Sequence, residues 1–276
     1  MYNLAMDIPE LEKALEDIPL GALRAFDTLG STNDEALSWV DSGCPDFSLV
    51  IADEQTKGRG RFDRKWITRP GTSLAFSLVL TPSPAQVTLL PLFAPLAGIA
   101  IWQTLKERYS IQTEIKWPND ILLHRQKCAG ILVESSWIGP TLRGVVVGIG
   151  INIHPGSVPP PSNQMFPATF LDSVASRPLN RFELLASVLQ AISSWRQKLG
   201  SQEFFATWQA NLAFIGEKVA VAQTPKPSII GVVQGIDHQG RLILKQADGK
   251  WVFIDVGDVH LRTVGEALEK ENDHVG

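Results

Sequence analysis

Between Lys57 and Trp66 the chain reads Lys57-Gly58-Arg59-Gly60-Arg61-Phe62-Asp63-Arg64-Lys65-Trp66. Cations alternate there with glycines, and a tryptophan closes the run. Glycine carries no side chain and reaches positive φ freely, so such a backbone can fold closely around an anion while the cations neutralise it. Trp66 adds a flat face for stacking on a base or covering a pocket. The chemistry this implies is capture of a phosphate-bearing ligand by a loop. A solvated basic turn, or an arginine–glycine segment that binds RNA, is the competing explanation. A single copy in an acidic chain argues against RNA. Spacing alone does not name the anion.

Other segments carry residues of chemical interest, each with an ordinary explanation beside it. Ser31-Thr32-Asn33 opens a helix, and Ser31 with Asp34 or Thr32 with Glu35 fits a capping box, so N-capping accounts for them. Only one hydroxyl can cap, however, and a helix N-terminus after a strand is also where polar ligand atoms dock. Lys116-Trp117-Pro118-Asn119-Asp120 ends a strand in a turn that Pro118 and Asn119 suit without any function. Lys127 precedes the apolar run Cys128-Ala129-Gly130-Ile131-Leu132. Lysines at strand ends are mostly solvated, and Cys128 reads as a small core residue rather than a nucleophile. Gly148-Ile149-Gly150-Ile151-Asn152 lacks the third glycine and following helix of a dinucleotide fingerprint. Glycines in a central strand suggest close approach of a ligand or another backbone, and Asn152 needs a polar partner if buried. His124, His154, His238, His260 and His274 show no metal-ligand spacing.

These residues need a scaffold, and the chain of 276 residues is long enough for one large domain and a small one. Strands are expected at Leu23–Thr28, Ser48–Asp53, Ser73–Leu80, Thr113–Trp117, Gly130–Ser136 and Arg143–Ile153, the last central in its sheet. Helices are expected at Glu10–Glu16, Thr32–Val40, Ala94–Tyr109, Arg181–Leu199 and Glu203–Asn211. The apolar run Val87–Trp102 contains Pro91 and Pro95 and is short for a membrane span, so it reads as a loop and a buried helix. Pro155–Pro167 is an irregular loop. After Gly216 come short strands at Lys218–Ala222, Ile229–Ile236, Arg241–Lys245 and Lys250–Asp255, as in a small β-barrel. With 25 basic against 29 acidic residues the net charge is −4, which excludes whole-surface binding to nucleic acid or an anionic membrane and makes any anion site local. Two cysteines make neither a disulfide framework nor a metal cluster and point to a reducing, cytoplasmic setting. Met1–Pro19 is acidic and broken by prolines, unlike a signal peptide.

Taken together and in this order, Ser31-Thr32-Asn33, Gln55, Gly58-Arg59-Gly60-Arg61 with Arg64-Lys65-Trp66, Lys116-Trp117-Pro118-Asn119-Asp120, Lys127 with Ala129-Gly130-Ile131-Leu132, and Gly148-Ile149-Gly150-Ile151-Asn152 resemble the biotin protein ligases. The resemblance spans about Leu23 to Arg262. Too little precedes Ala22 for an N-terminal DNA-binding domain, so the likeness is to the enzyme-only class, with no DNA and no membrane as partners.

The resemblance implies an α+β fold: a mixed-sheet catalytic domain over 1–214, an SH3-like β domain over 215–265 and a disordered tail over 266–276. It also implies ATP-dependent formation of biotinyl-5'-AMP, then transfer of biotin to a lysine of the biotin carboxyl carrier protein of acetyl-CoA carboxylase. Arg61 and Lys127 are the implied catalytic residues. Ser31, Thr32, Asn33, Gln55, Arg59, Gly60, Arg61 and Lys127 are implied around biotin; Arg64, Trp66, Lys116, Asn119 and Asn152 around the nucleotide. Mg²⁺ is expected with ATP, with no ligands identified. The segments Gln55–Trp66 and Pro155–Pro167 are expected to order on ligand binding. Oligomeric state stays open, a homodimer included, because strands near Val133–Val147 pair across a dimer in some relatives. A lipoate or octanoate ligase shares the chemistry, but its substrate has no ureido head for the Ser-Thr-Asn and Gln cluster. A non-catalytic biotinyl-AMP-binding regulator is disfavoured by the retained Lys127.

Overall fold

The strand at Ser73–Leu80 is buried at every residue, because it lies third in a sheet covered on both faces. The computed structural model describes residues 6–62, 64–158, 167–223, 226–255 and 259–263. In chain order the large sheet comprises β1 (Leu23–Leu29), β2 (Ser48–Gln55), β3 (Ser73–Leu80), β4 (Glu114–Lys116), β5 (Asp120–Leu123), β6 (Gln126–Ile138) and β7 (Thr141–Asn152). Their spatial order is β1-β2-β3-β7-β6-β5-β4. Only β1 and β2 pair in parallel; the remaining pairs are antiparallel.

Side chains alternate across a strand, so one strand feeds two cores. Leu49, Ile51, Phe76, Leu78, Val145 and Val147 point into the main core. That core is filled by α1 (Ile8–Leu15), α3 (Phe93–Tyr109), α4 (Arg181–Arg196) and α5 (Gln202–Ala210). Val50, Val79 and Val146 point the other way, against Ala36 and Val40 of α2 (Thr32–Asp41). The expected loop and buried helix are a 3-10 segment, Pro84–Leu92, running into α3. The span Pro84–Tyr109 is long and apolar enough to cross a membrane, but twelve of the seventeen residues of α3 are buried, its apolar ones in the main core.

The second sheet is antiparallel, with five strands: β8 (Lys218–Gln223), β9 (Lys226–Ile236), β10 (Leu242–Lys245), β11 (Trp251–Ile254) and β12 (Val259–Thr263), ordered β11-β10-β9-β8-β12. Two strands were not expected from the sequence. β5 has only four residues and follows a proline turn, and β12 pairs back onto β8. β6 also runs longer than expected at both ends, since Gln126–Ile138 is one arm of a hairpin with β7. The expected tail 266–276, Asp63 of the basic run and residues 159–166 of the proline-rich loop lie outside the described residues.

Candidate active site

The edge of the sheet that carries β2, β7, β6 and β5 opens into one cavity of about 540 Å³. Its neutral end is built from the start of α2. Ser31 is the N-cap, with extended backbone, and its Oγ accepts from Asp34 N at 3.5 Å. The cap reading of Ser31 therefore holds. With the cap supplied, Thr32 and Asn33 are turned inward and buried. Gln55, at the end of β2, accepts from Thr32 N at 2.8 Å and Thr32 Oγ1 at 3.1 Å through its Oε1. Ser77 Oγ lies 2.8 Å from Thr32 Oγ1 and 2.6 Å from Asn33 Oδ1. Asn33 Nδ2 donates to Glu134 Oε2 at 2.7 Å and Leu132 O at 3.3 Å. The groups that line this end are hydroxyls and amides, backed by the Glu134 carboxylate behind Asn33, and suit a neutral ligand head with both donors and acceptors.

The opposite end is cationic. Lys116 ends β4, Asp120 begins β5, and Lys127 lies near the start of β6. The Lys127 Nζ lies 2.6 Å from Asp120 Oδ1, and Lys116 Nζ is 3.5 Å from Asp120 Oδ2. Burial alone would raise the Asp120 carboxyl, but the Lys127 and Lys116 ammonium groups outweigh it and hold the group below the usual carboxylate range. Lys116 is pulled the other way. Its burial lowers the ammonium, Asp120 offsets part of that, and the positive charges of Lys127 and Arg64 lower it further. Two lysines share one carboxylate, which leaves a net positive pole.

The basic run crosses the mouth as a small hairpin. Arg59 bridges to Lys65, Gly60 N donates to Arg64 O at 2.6 Å and Trp66 N to Gly58 O at 2.9 Å. The Arg59 guanidinium is committed to two carboxylates: Nη1 and Nη2 fork onto Glu134 at 3.1 and 3.0 Å, and Nη2 also reaches Asp34 at 2.5 Å. Burial would lower the Arg59 guanidinium, but its bonds to Glu134 and Asp34 raise it overall. Arg61 Nη1 is 3.4 Å from Asn119 Oδ1, so this cation stands above the positive pole. Asn119 in turn donates to Ile131 O at 2.6 Å.

Trp66 folds inward over β6 and β7. A Cβ on Gly150 would lie 2.2 Å from Trp66 Cε2, and one on Gly130 would lie 3.1 Å from Trp66 Cζ3. Gly130 and Gly150 face each other across the two strands. One on Gly148 would lie 2.0 Å from Asn33 Oδ1. The expectation for these glycines was a nearby ligand or backbone. The observed neighbours are three cavity side chains, Trp66, Asn33 and, at Gly130, Lys127, whose Cε and Nζ would each lie 2.9 Å from an added Cβ. Trp66 Nε1 is buried without a partner among the described residues, and Lys127 Nζ sits 5.6 Å from the indole centroid. Asn152 is buried and has the partner its position demands, donating to Thr169 O at 3.0 Å.

Every candidate site residue named from the sequence, Ser31 through Asn152, lines this one cavity. Three contributors were missed. Asp120 was quoted in a motif but given no role, although a carboxylate two places after Pro118 and four after Lys116 was a usable signal. Ser77 and Glu134 lie in ordinary strands and gave none. Cys128 is fully buried, and burial pushes its thiol up to about 12, in keeping with a small core residue rather than a nucleophile. Among the described residues no group of three His, Cys, Asp or Glu side chains is placed to hold a metal.

Known proteins share this sequence pattern and fold. Residues 26–152 match the biotin/lipoate A/B protein ligase family and residues 214–262 the biotin protein ligase C-terminal domain. The chain is 35% identical to a biotin–[acetyl-CoA-carboxylase] ligase of Paracoccus denitrificans, over 81% of this chain and 94% of that protein. It is 34% identical to the bifunctional ligase/repressor BirA of Bacillus subtilis, over 81% of this chain and 69% of that protein. A biotin protein ligase from Aquifex aeolicus, solved in complex with biotin and ATP, superimposes with a TM-score of 0.74 at 29% identity, covering 88% of this chain and 99% of that one. The chain therefore belongs to the biotin protein ligases, within the biotin/lipoate A/B protein ligase family.

Proposed function

We propose that this chain activates biotin with ATP and transfers it to a lysine of a biotin carboxyl carrier protein, that of acetyl-CoA carboxylase, in the cytoplasm. The observation that carries the reading is the polarity of the cavity: a neutral hydrogen-bonding end at Thr32, Asn33 and Gln55 faces a cationic end at Lys116, Lys127 and Arg61. Biotin has the matching polarity, a neutral ureido ring at one end and a carboxylate at the other. Ser31, Thr32, Gln55 and Asn33, with the Arg59–Arg61 backbone and Gly60, receive the ring. The carboxylate then lies toward Lys127.

In the first step a carboxylate oxygen attacks the α-phosphorus of ATP, and the bond to the β-phosphate oxygen breaks, releasing pyrophosphate. This brings an anion up to a polyanion, so cations must neutralise the reacting oxygens. Lys127 and Arg61 do this, with Lys116 beside Asp120 adding to the positive pole. Arg64, Trp66, Asn119 and Asn152 hold the nucleotide. In the second step the neutral ε-amine of the carrier lysine attacks the acyl carbon, the acyl–phosphate C–O bond breaks, AMP leaves and the amine gives up a proton to solvent. Trp66 and its hairpin limit water at the mixed anhydride.

Mg²⁺ would arrive on the nucleotide, held by phosphate and water oxygens. Among the described residues that line the cavity the carboxylate at the cationic pole is Asp120, which is engaged by two lysines and offers no cage of its own. We assign residues 1–214 to the catalytic unit and 215–265 to the small one. The test is incubation with ATP, labelled biotin or labelled lipoate, and a carboxylase carrier domain. Biotin-dependent label on the carrier lysine supports the reading; lipoate transfer, or no transfer to any carrier, overturns it.

A further inference from the structure

We infer that the small C-terminal sheet sets the position of the Lys116–Asp120 turn, and that Trp117 is the positioning residue through which it acts. The hairpin carrying this turn lies at the end of the large sheet and is laddered to it on one side only, through β6. Its strands β4 and β5 have three and four residues and lie last in the order, and so small a hairpin is marginal alone. Its outer edge is completed from elsewhere. Ile115 N donates to Asn211 O at 2.8 Å and Ala213 N donates to Ile115 O at 2.9 Å, the segment that leads into the second sheet.

The decisive contact is at the turn itself. Trp117 is fully buried, and its indole N–H donates to Gly240 O at 2.9 Å. Gly240 belongs to a turn between β9 and β10 that is braced by its own side chain. Asp237 Oδ1 accepts from Gln239 N and Arg241 N at 2.9 Å each, and Arg241 Nε donates to Asp237 Oδ2 at 2.6 Å. Gly240 holds φ +79°, and a Cβ there would come within 3.1 Å of Leu92 Cδ2. The carbonyl is thus fixed in place before Trp117 meets it. Trp117 sits in sequence between Lys116 and Asp120, so a shift of the indole carries both ends of the Lys116–Asp120 contact with it. Small displacements of charged groups around a reacting centre are costly to rate.

The inference rests on the proposed function, in that the turn faces the nucleotide. The experiment compares full-length Trp117→Phe, which keeps the ring and removes the donor, and Asp237→Ala, which unbraces the partner turn, with Val219→Ala as a control that thins the small sheet's core. The expected result is a rise of about fivefold to tenfold in the KM for ATP in the first two, from loss of about one buried hydrogen bond, with the KM for biotin within twofold of wild type. Amide exchange over residues 114–120 should speed up in both. Val219→Ala should lower the melting temperature and leave both KM values and that exchange unchanged. Wild-type ATP KM and exchange in Trp117→Phe and Asp237→Ala would overturn the inference, as would equal changes for ATP and biotin that track melting temperature in all three. If the unmutated protein forms no adenylate, the functional reading fails, and the exchange measurement alone still decides whether the two sheets are coupled through Trp117.

Discussion

Lys116, Asp120 and Lys127 form a unit in which no member can be removed neutrally. Asp120→Asn leaves two ammonium groups facing each other in a buried site, a loss on the order of 3–5 kcal/mol at neutral pH. The sign with pH follows from the depressed carboxyl. Asp120 contributes stability above its unfolded value near ~4 and loses it as pH falls through the lower folded value. Denaturant titrations should therefore show the gap between wild type and Asp120→Asn narrowing below about pH 4; a constant gap would remove the carboxylate from the acid limb. Arg61→Ala and Lys127→Ala should each lower pyrophosphate release by at least about 100-fold, the scale of losing one preorganised charge contact to a transition state. Near-wild-type release would strip them of that role. The basic run and the Lys-Trp-Pro-Asn-Asp turn were legible because their residue types are unusual where they stand. Glu134 and Ser77 were not. They meet Arg59 and Asn33 across separations of 75 and 44 residues, and nothing local marks a glutamate or serine in a strand as the one that closes a distant network.

At the scale of elements, the glycines of β6 and β7 set the shape of the site more than their neighbours do. Gly150→Ala would drive a methyl into the Trp66 indole, since the added carbon would fall 2.2 Å from Cε2. Either Trp66 leaves the floor or the strand shifts. Isothermal titration should show weaker ATP binding by about tenfold or more, with a melting temperature lowered by overpacking; unchanged affinity would mean that Trp66 is not a nucleotide contact. The hairpin from Gln55 to Trp66 is pinned by the Arg59 fork onto Glu134 and Asp34, whose side chains are 40%, 27% and 56% exposed. Exposed pairs hold weakly, so limited proteolysis in this segment should slow when biotin and ATP are both present. Strand and helix positions were mostly readable, because alternation and helical spacing record burial directly. The exceptions have physical causes. β5 is too short to alternate visibly, and β12 is defined by the strand it returns to rather than by its own composition.

The whole molecule is held by a few contacts between parts far apart in the chain. Arg125, in the β5–β6 turn, reaches Glu217 at 2.6 Å and lies 4.8 Å from the Phe214 ring centroid, so the edge of the large sheet meets the start of the small one at more than one point. The sequence predicted a second β unit from its turns but gave no sign that it touched the site, because a backbone carbonyl such as Gly240 leaves no signature in residue type. A chain stopped at Ala210 should fold most of the large sheet yet bind ATP weakly; binding at full strength would show that the later residues are dispensable for it. The separation of 123 residues between Trp117 and Gly240 also has a meaning in time. On a ribosome adding about 5–20 residues per second, the turn would wait on the order of 6–25 s for the carbonyl that fixes it. The neutral end of the cavity can form during that delay, while the cationic end is completed only once Gly240 has been made.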